Sequence, residues 1–278
     1  MGIFFVFIKK NIIFVLFFNK RNMRFLIQII NGEIVHDFAF TLIETIKFNN
    51  WYHNNSYIEF LKCDINDISP KHKDYCPIGS VEFVHVFYKK LYNIDNIKPL
   101  NVPFELINVT FSKRNIKNYD SNDLIQDRIL NDFGNSPLFV KSTDTIKYSK
   151  NGLYKRIDDI KDFGLENIQV SEFIEILSEY RCFIYENNLV GLQYYSGDFK
   201  IFPNIKKIES MIMEYSKSAP VSYTLDVGIN NDDTFVIECH NFYSCGLYGF
   251  NDSRLPFMFW RWHKNFLKEN IYESNCIK

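Results

Sequence analysis

Apolar and polar positions alternate most clearly between residues 221 and 250, where a polar turn joins two extended segments. In residues 223–229 the apolar side chains share one face, and Asp226 lies on the other. In residues 234–240, Glu238 is again a single acid among mostly apolar neighbours. A lone acid on a half-buried strand costs free energy unless it is paired or bound. The pattern therefore predicts a cation between the two strands.

The turn decides whether Asp226 and Glu238 meet. A connection of two or four residues would place the carboxylates on opposite faces, whereas three or five residues, or a bulge, would place them on one face. The turn sequence at 230–233, Asn-Asn-Asp-Asp, allows each of these.

The preceding pattern predicts a small α/β lobe over residues 23–105. We expect a strand at 24–30, a helix at 38–51 capped by Asp37, and further strands at 56–60 and 80–88. His85 lies in the last of these strands. It is expected to be structural, because no second ligand follows at metal-binding spacing.

Residues 106–278 form the second predicted domain. The elements expected there are a helix within 118–133, a short strand at 138–141, a flexible loop at 142–154, a helical segment at 156–163, a hairpin about Asn187-Asn188, and helices at 206–216 and 256–272. The strand at 138–141 ends in Lys141.

The first 22 residues are interpreted as an extension outside the folded core. Their apolar run is interrupted by Lys9 and Lys10, and each half is shorter than the roughly 20 residues that span a bilayer. Met23 resembles a normal start, followed directly by a strand. We therefore expect no stable membrane association.

Composition narrows the functional class. The 278-residue chain has a net charge of −1, which gives no basic field for nucleic acid, so no nucleic-acid partner is expected. None of its six cysteines forms a Cys-x-x-Cys pair, which is typical of reduced thiols in a cytoplasmic protein.

Three features in order resemble the ATP-grasp superfamily: a strand ending in Lys141 before a flexible loop, the hinge VSEFI at 170–174 leading to Arg181, and the acidic strand pair. The segments EYRCFIY, SYTLDVG and IECHNFYSCGLYGF are most similar to a compact branch of that superfamily found in phage and bacterial genomes. The resemblance covers about residues 110–250. It implies an α+β fold in which two α+β lobes clasp ATP, preceded by the small α/β lobe.

The resemblance also implies roles for individual residues. Lys141 would contact the α-phosphate and the adenine edge, and Arg181 would face phosphate or the substrate carboxylate. The backbone around Glu172, Phe173 and Ile174 would hydrogen-bond adenine. A ribose-binding carboxylate would follow, and the residues considered for this role are Glu175 and Glu179. The acids Asp226 and Glu238 would hold Mg²⁺, with Asp226 opposite Glu238 and Thr224 opposite His240.

Two departures from the family pattern concern the metal and the phosphates. The usual Glu-x-Asn reads Glu238-Cys239-His240 here, so either His240 lies near the metal or a bulge brings in Asn241 as the oxygen ligand that Mg²⁺ prefers. The phosphate loop contains only Gly152, so Lys147 or Lys150 would supply charge.

The function implied is an ATP-dependent ligase that joins a small-molecule or peptide carboxylate to an amine or another nucleophile through an acyl phosphate. Phosphoryl transfer needs positioning and charge neutralisation, which lysine, arginine and metal-bound acids supply. A kinase on the same scaffold and a nucleotide-binding or interaction protein without turnover remain the alternatives.

Overall fold

The computed structural model describes residues 23–54, 57–121, 125–163, 167–231 and 233–276. The extension expected at 1–22 lies outside these residues. In the described part of the chain, none of the helices combines the length and apolar character that a membrane-spanning segment needs.

The first lobe contains a parallel three-stranded sheet in the order β2-β1-β3. Its elements are β1 (Met23–Gln28), α1 (Asp37–Tyr52), β2 (Ile58–Cys63), β3 (Cys76–Ile78) and α2 (Val81–Tyr92). The sequence prediction of an α/β lobe is confirmed here. One detail differs, because the residue before the first turn of α1 is His36 and Asp37 is the first helical residue.

The strand expected at 80–88 is wrong, because these residues form α2. Ser80 caps the helix by accepting a hydrogen bond from the amide of Phe83 at 3.2 Å. The buried side chains recur at helical spacing, at Val81, Val84 and Tyr88. β-Branched residues at alternate positions imitate a strand, and here the cap and the helical stripe outweigh them.

A second, mixed unit begins with the short helix α3 (Val109–Ser112). Its antiparallel sheet has the order β4-β7-β5-β6, and the elements are β4 (Ile116–Tyr119), α4 (Ile125–Phe133), β5 (Leu138–Ser142), β6 (Gly152–Tyr154) and β7 (Ile168–Glu172). The loop expected at 142–154 thus ends in a short strand. A separate core lies under this sheet, around Ile129, Val140 and Val170.

The third sheet is antiparallel, in the order β11-β10-β8-β9. Its elements are β8 (Ser178–Tyr185), β9 (Asn188–Gly197), α5 (Ile205–Tyr215), β10 (Ser222–Asn230) and β11 (Asp233–Asn241). The hairpin predicted about Asn187-Asn188 exists. Its two turn residues with positive φ are Glu186 and Asn187, so the turn lies one residue earlier than expected.

Helix α6 (Leu255–Cys276) returns to the first lobe, where Met258, Phe259 and Trp262 join the core that contains Phe25 and Leu26. The structure is therefore α+β, as expected. The division into domains at residue 105 stays a prediction, since the C-terminal helix shares the core of the first lobe.

Gly191 on β9 provides a test of how closely the third sheet packs against the C-terminal segment. A Cβ there would meet ring carbons of Phe250 at 2.3 and 2.4 Å. Phe250 is itself stacked on Phe183 with ring centroids 4.1 Å apart. We expect Gly191→Ala to lower the free energy of unfolding by about 1–3 kcal/mol, as overpacked cores do. Urea unfolding would measure this.

Gly152→Ala is the matched control, because nothing lies within 4 Å of the added Cβ. Equal stability of the two variants would show that Phe250 does not press against Gly191.

Candidate active site

A β-bulge places the two acids of the β10–β11 hairpin on one face. Asn230 pairs with Asp233, so the turn contains two residues and would alone set the carboxylates apart. The register shifts by one residue between Val227, which pairs with Val236, and Asp226, which pairs with Glu238. Ile237 is the extra residue. The expected pairing of Asp226 with Glu238, and of Thr224 with His240, is confirmed, and the bulge is the alternative that the chain adopts.

Arg181 binds Asp226 through a two-pronged ion pair. They face each other on adjacent strands, β8 and β10. Arg181 Nε donates to Asp226 Oδ1 at 2.8 Å, and Nη2 donates to Oδ2 at 2.7 Å. Asp226 is only 2% exposed and Arg181 7%. A buried charge needs such a partner, and the planar guanidinium matches a carboxylate well.

The rest of the guanidinium is held by the segment after β11. Nη1 donates to the carbonyl of Gly246 at 3.2 Å. The guanidinium carbon lies 5.0 Å from the ring centroid of Tyr248, a cation–π contact. Arg181 is therefore fixed from several sides, with part of its surface directed at the cavity described below.

Lys141 joins the second sheet to the third. Its Nζ donates to Glu238 Oε2 at 2.5 Å, from β5 to β11. His240 lies between the acids, with Nε2 3.4 Å from Glu238 Oε1 and 3.3 Å from Asp226 Oδ2. Two acids and three basic side chains thus form one continuous network.

The network sets the ionisation of its central members. Burial alone would raise the pKa of Asp226, but hydrogen bonds from Arg181 and His240 hold it below its ordinary value. Burial would likewise raise the pKa of Glu238, but Lys141 and His240 outweigh it and lower that pKa. For His240, burial lowers the pKa, whereas the charge of Glu238 and a hydrogen bond to Asp226 raise it to about 9. At neutral pH both acids and His240 are therefore charged.

A cavity of about 460 Å³ opens beside this network. It lies between the second and third sheets and the start of α2. Charged or ionisable side chains on its wall are Lys141, Lys147, Arg181, Glu238 and His240, and apolar parts come from Val81, Leu100, Phe139 and Ile146. One acid among four basic groups makes the wall suitable for an anionic ligand.

The residues expected to bind metal fall into two groups. Asp226, Glu238 and His240 each offer a ligand atom, and these atoms lie within 4.8 Å of one another. Asn241 is not brought to them. Its Nδ2 donates to the carbonyl of Lys98 at 3.0 Å, and its Oδ1 accepts from Trp262 Nε1 at 3.3 Å. The bulge precedes Glu238 rather than following it, so His240 keeps the face that Asn241 would have needed.

The stretch expected to contact adenine and ribose is not part of the cavity wall. The amides of Glu172 and Phe173 already donate to the carbonyls of Asn115 and Pro137, at 3.1 and 3.2 Å. The Glu172 carboxylate accepts from the amide of Asn115 at 2.8 Å. A backbone donor for adenine would therefore have to come from Ile174 onward.

The two acids considered for ribose also differ in their surroundings. Glu175 is exposed. Glu179 accepts a hydrogen bond from the Tyr195 hydroxyl at 2.8 Å. Tyr195 stacks on Tyr248, which in turn contacts Arg181. Glu179 thus reaches the network through two aromatic rings.

Sequence reasoning missed Arg114 and Tyr248. Arg114 lies in the loop before β4, and its guanidinium reaches the bulge in β11. No periodic pattern singles out an arginine in a loop, so only the assembled sheets show its role.

The sheets and the cavity between them define an ATP-grasp protein. A family model for an ATP-grasp domain, the second family of its clade, matches residues 111–256, which is more than half of the chain. The chain belongs to this family.

Solved structures agree on the fold. An ATP-grasp RimK domain protein from Sphaerobacter thermophilus is 14% identical, with a TM-score of 0.50, and the match covers 88% of this chain and 99% of that one. A D-cycloserine synthetase is 10% identical, with a TM-score of 0.54 and the same coverage, 88% and 99%. At these identities the likeness shows the fold alone. Among curated proteins, no sequence matches this chain.

The raised pKa of His240 leads to a pH-dependent stability. An unfolded histidine has a pKa of 6.5, and folded His240 keeps its proton up to about 9. Its ion pairs therefore stabilise the fold fully below pH 6.5, and this contribution is lost as the pH rises through 9. We expect His240→Gln to remove this part of the alkaline decline, measured by thermal unfolding across that range.

His36→Gln is the control, because the His36 ring bonds Gln28 and its pKa is lowered, chiefly by burial. It should leave the alkaline decline intact. An unchanged decline in His240→Gln would contradict the charge assignment.

Proposed function

We propose that the protein is an ATP-dependent ligase that joins a carboxylate to an amine or another nucleophile through an acyl phosphate. The observation that carries the proposal is the cationic cavity in a chain of the ATP-grasp family. Lys141 and Arg181 line it beside the acid Glu238. This combination suits a polyphosphate and a carboxylate held side by side.

Lys141 would bind the phosphates of ATP. Its side chain is 19% exposed and lies between Glu238 and the cavity. A polyphosphate entering the cavity would compete with Glu238 for the ammonium group. Lys147 lines the same wall and would add a second positive charge.

Arg181 would hold the carboxylate substrate or the transferred phosphoryl group. Asp226, buried behind it, fixes Nε and Nη2 and sets the plane of the guanidinium. A guanidinium that is already oriented stabilises developing negative charge without reorganising during the reaction. Asp226 thus contributes through Arg181 as well as through its own charge.

The donor set fits a divalent cation such as Mg²⁺. Two carboxylates and one imidazole offer ligand atoms within 4.8 Å, and Glu238 faces the cavity. Glu238 and Asp226 would hold the ion, with His240 beside them. When bound, the ion would neutralise phosphate charge. The oxygens of Asp226 are shared with Arg181, so Glu238 is the more accessible ligand.

The proposed reaction balances in two steps. A substrate carboxylate oxygen attacks the γ-phosphorus, which forms an acyl phosphate and releases ADP. The nucleophile then attacks the acyl carbon, inorganic phosphate leaves, and an amine nucleophile loses a proton. The cavity wall would shield the acyl phosphate from water. The adenine would lie toward Ile174 and the ribose toward Glu175 or Glu179, outside the described cavity wall.

The proposal predicts that Glu238→Gln and Lys141→Ala lower ADP release by about 10²–10³-fold, the usual effect of removing one group that stabilises transition-state charge. Purified full-length chain would be mixed with Mg-ATP and pools of amino acids and peptides, and ADP and phosphate would be measured. Glu209→Gln, an exposed acid on α5, is the control and should match the unchanged protein.

The products separate the alternatives. ADP, inorganic phosphate and a new amide support the ligase. ADP with a stable phosphorylated product would replace it with a kinase. Binding of Mg-ATP without ADP from any acceptor would indicate a nucleotide-binding protein without turnover, and no binding at all would overturn the nucleotide site.

A further inference from the structure

Arg114 connects the loop before β4 to the bulge of β11. Its Nη1 donates to the carbonyl of Val236 at 2.8 Å, and its Nη2 lies 3.3 Å from the carbonyl of Ile237. Nη1 also donates to the carbonyl of Ser112 at 3.0 Å. One guanidinium therefore ties the loop to two consecutive carbonyls, one of which belongs to the extra residue.

These carbonyls need a partner from outside the hairpin. A bulge disrupts the hydrogen-bond ladder and leaves its extra residue unpaired across the strands. An unpaired backbone carbonyl away from water costs free energy. The planar guanidinium can donate to two acceptors at once, which a lysine cannot do with the same geometry.

The surroundings keep Arg114 in place. Its guanidinium carbon lies 5.9 Å from the ring centroid of Phe235. Burial lowers the pKa of Arg114 to about 10, against the opposing effect of Glu238. The side chain thus remains charged at neutral pH and stays a donor.

Removing the bulge would dismantle the acidic face. With the two-residue turn kept and no extra residue, Asp226 would pair with Ile237, and Glu238 would pair with Leu225. Leu225 is fully buried in the core beneath the third sheet. Glu238 would then point into that core, away from Asp226, Lys141 and the cavity.

We propose that Arg114 is a positioning residue, which holds the Ile237 bulge and thereby keeps Glu238 opposite Asp226 at the mouth of the cavity. Its effect on activity rests on the proposed function. Its effect on strand register does not, and the two can be measured separately.

The register test uses Arg114→Lys and Arg114→Gln in the full chain. NMR would follow the cross-strand contact between the backbones of Asp226 and Glu238, with thermal unfolding recorded in parallel. We expect the contact to weaken in Arg114→Lys and to weaken further in Arg114→Gln. If Arg114→Gln does not fold, Arg114→Lys carries the test.

The activity test uses the Mg²⁺ dependence of ADP release by the same variants. We expect the KM for Mg²⁺ to rise by about 10- to 100-fold, the range found when residues that orient metal ligands are changed. A merely structural role would lower the melting temperature and leave the KM for Mg²⁺ of the folded protein unchanged.

Lys113→Gln is the matched control. Lys113 is the adjacent residue and pairs with Asp233 on the same strand, 2.6 Å away, but the bulge carbonyls bond to Arg114. It should retain both the contact and the Mg²⁺ dependence. An intact Asp226–Glu238 contact in Arg114→Lys, or equal loss in Lys113→Gln, would overturn the inference. If the unchanged protein releases no ADP, the proposed function fails, while the NMR result still decides the role of Arg114.

Discussion

The site depends on one extra residue in one strand. Because side chains alternate along a strand, a two-residue turn would direct Asp226 and Glu238 to opposite faces of the third sheet. Ile237 shifts the register once and brings them together. Bulges often re-aim a side chain next to a functional site, at the cost of unpaired backbone groups. Here the guanidinium of Arg114 takes up the carbonyls at the bulge.

Bringing two acids together requires positive charge around them. Arg181 neutralises Asp226 from the neighbouring strand, and Lys141 reaches Glu238 from another sheet. Breaking one buried pair would leave the other charge uncompensated, which is expensive in a poorly solvated place. The same basic groups face the cavity, so the ion pairs that maintain the fold also supply the charge that a polyphosphate needs.

Local patterns carried much of the architecture. The acidic hairpin, the strand ending in Lys141 and the amphipathic helix α5 all follow from spacing within a short window. The helix α2 did not, because alternating β-branched residues hid the cap at Ser80 and the stripe at Val81, Val84 and Tyr88. Site residues set by tertiary contacts could not be read in the same way. Asn241 turns to Lys98 and Trp262, which are distant in sequence. The turn sequence alone could not choose between a longer loop and a bulge, since that choice depends on what receives the freed carbonyls.

Paramagnetic NMR with Mn²⁺-ATP tests the central claim, that the bulged hairpin and its basic partners form one nucleotide–metal site. Mn²⁺ takes the same oxygen ligands as Mg²⁺ and broadens signals from nearby nuclei. The account predicts that resonances of Glu238, His240, Asp226 and Lys141 broaden first as the complex is added. Broadening centred elsewhere in the chain, or none at saturating Mn²⁺-ATP, would contradict it.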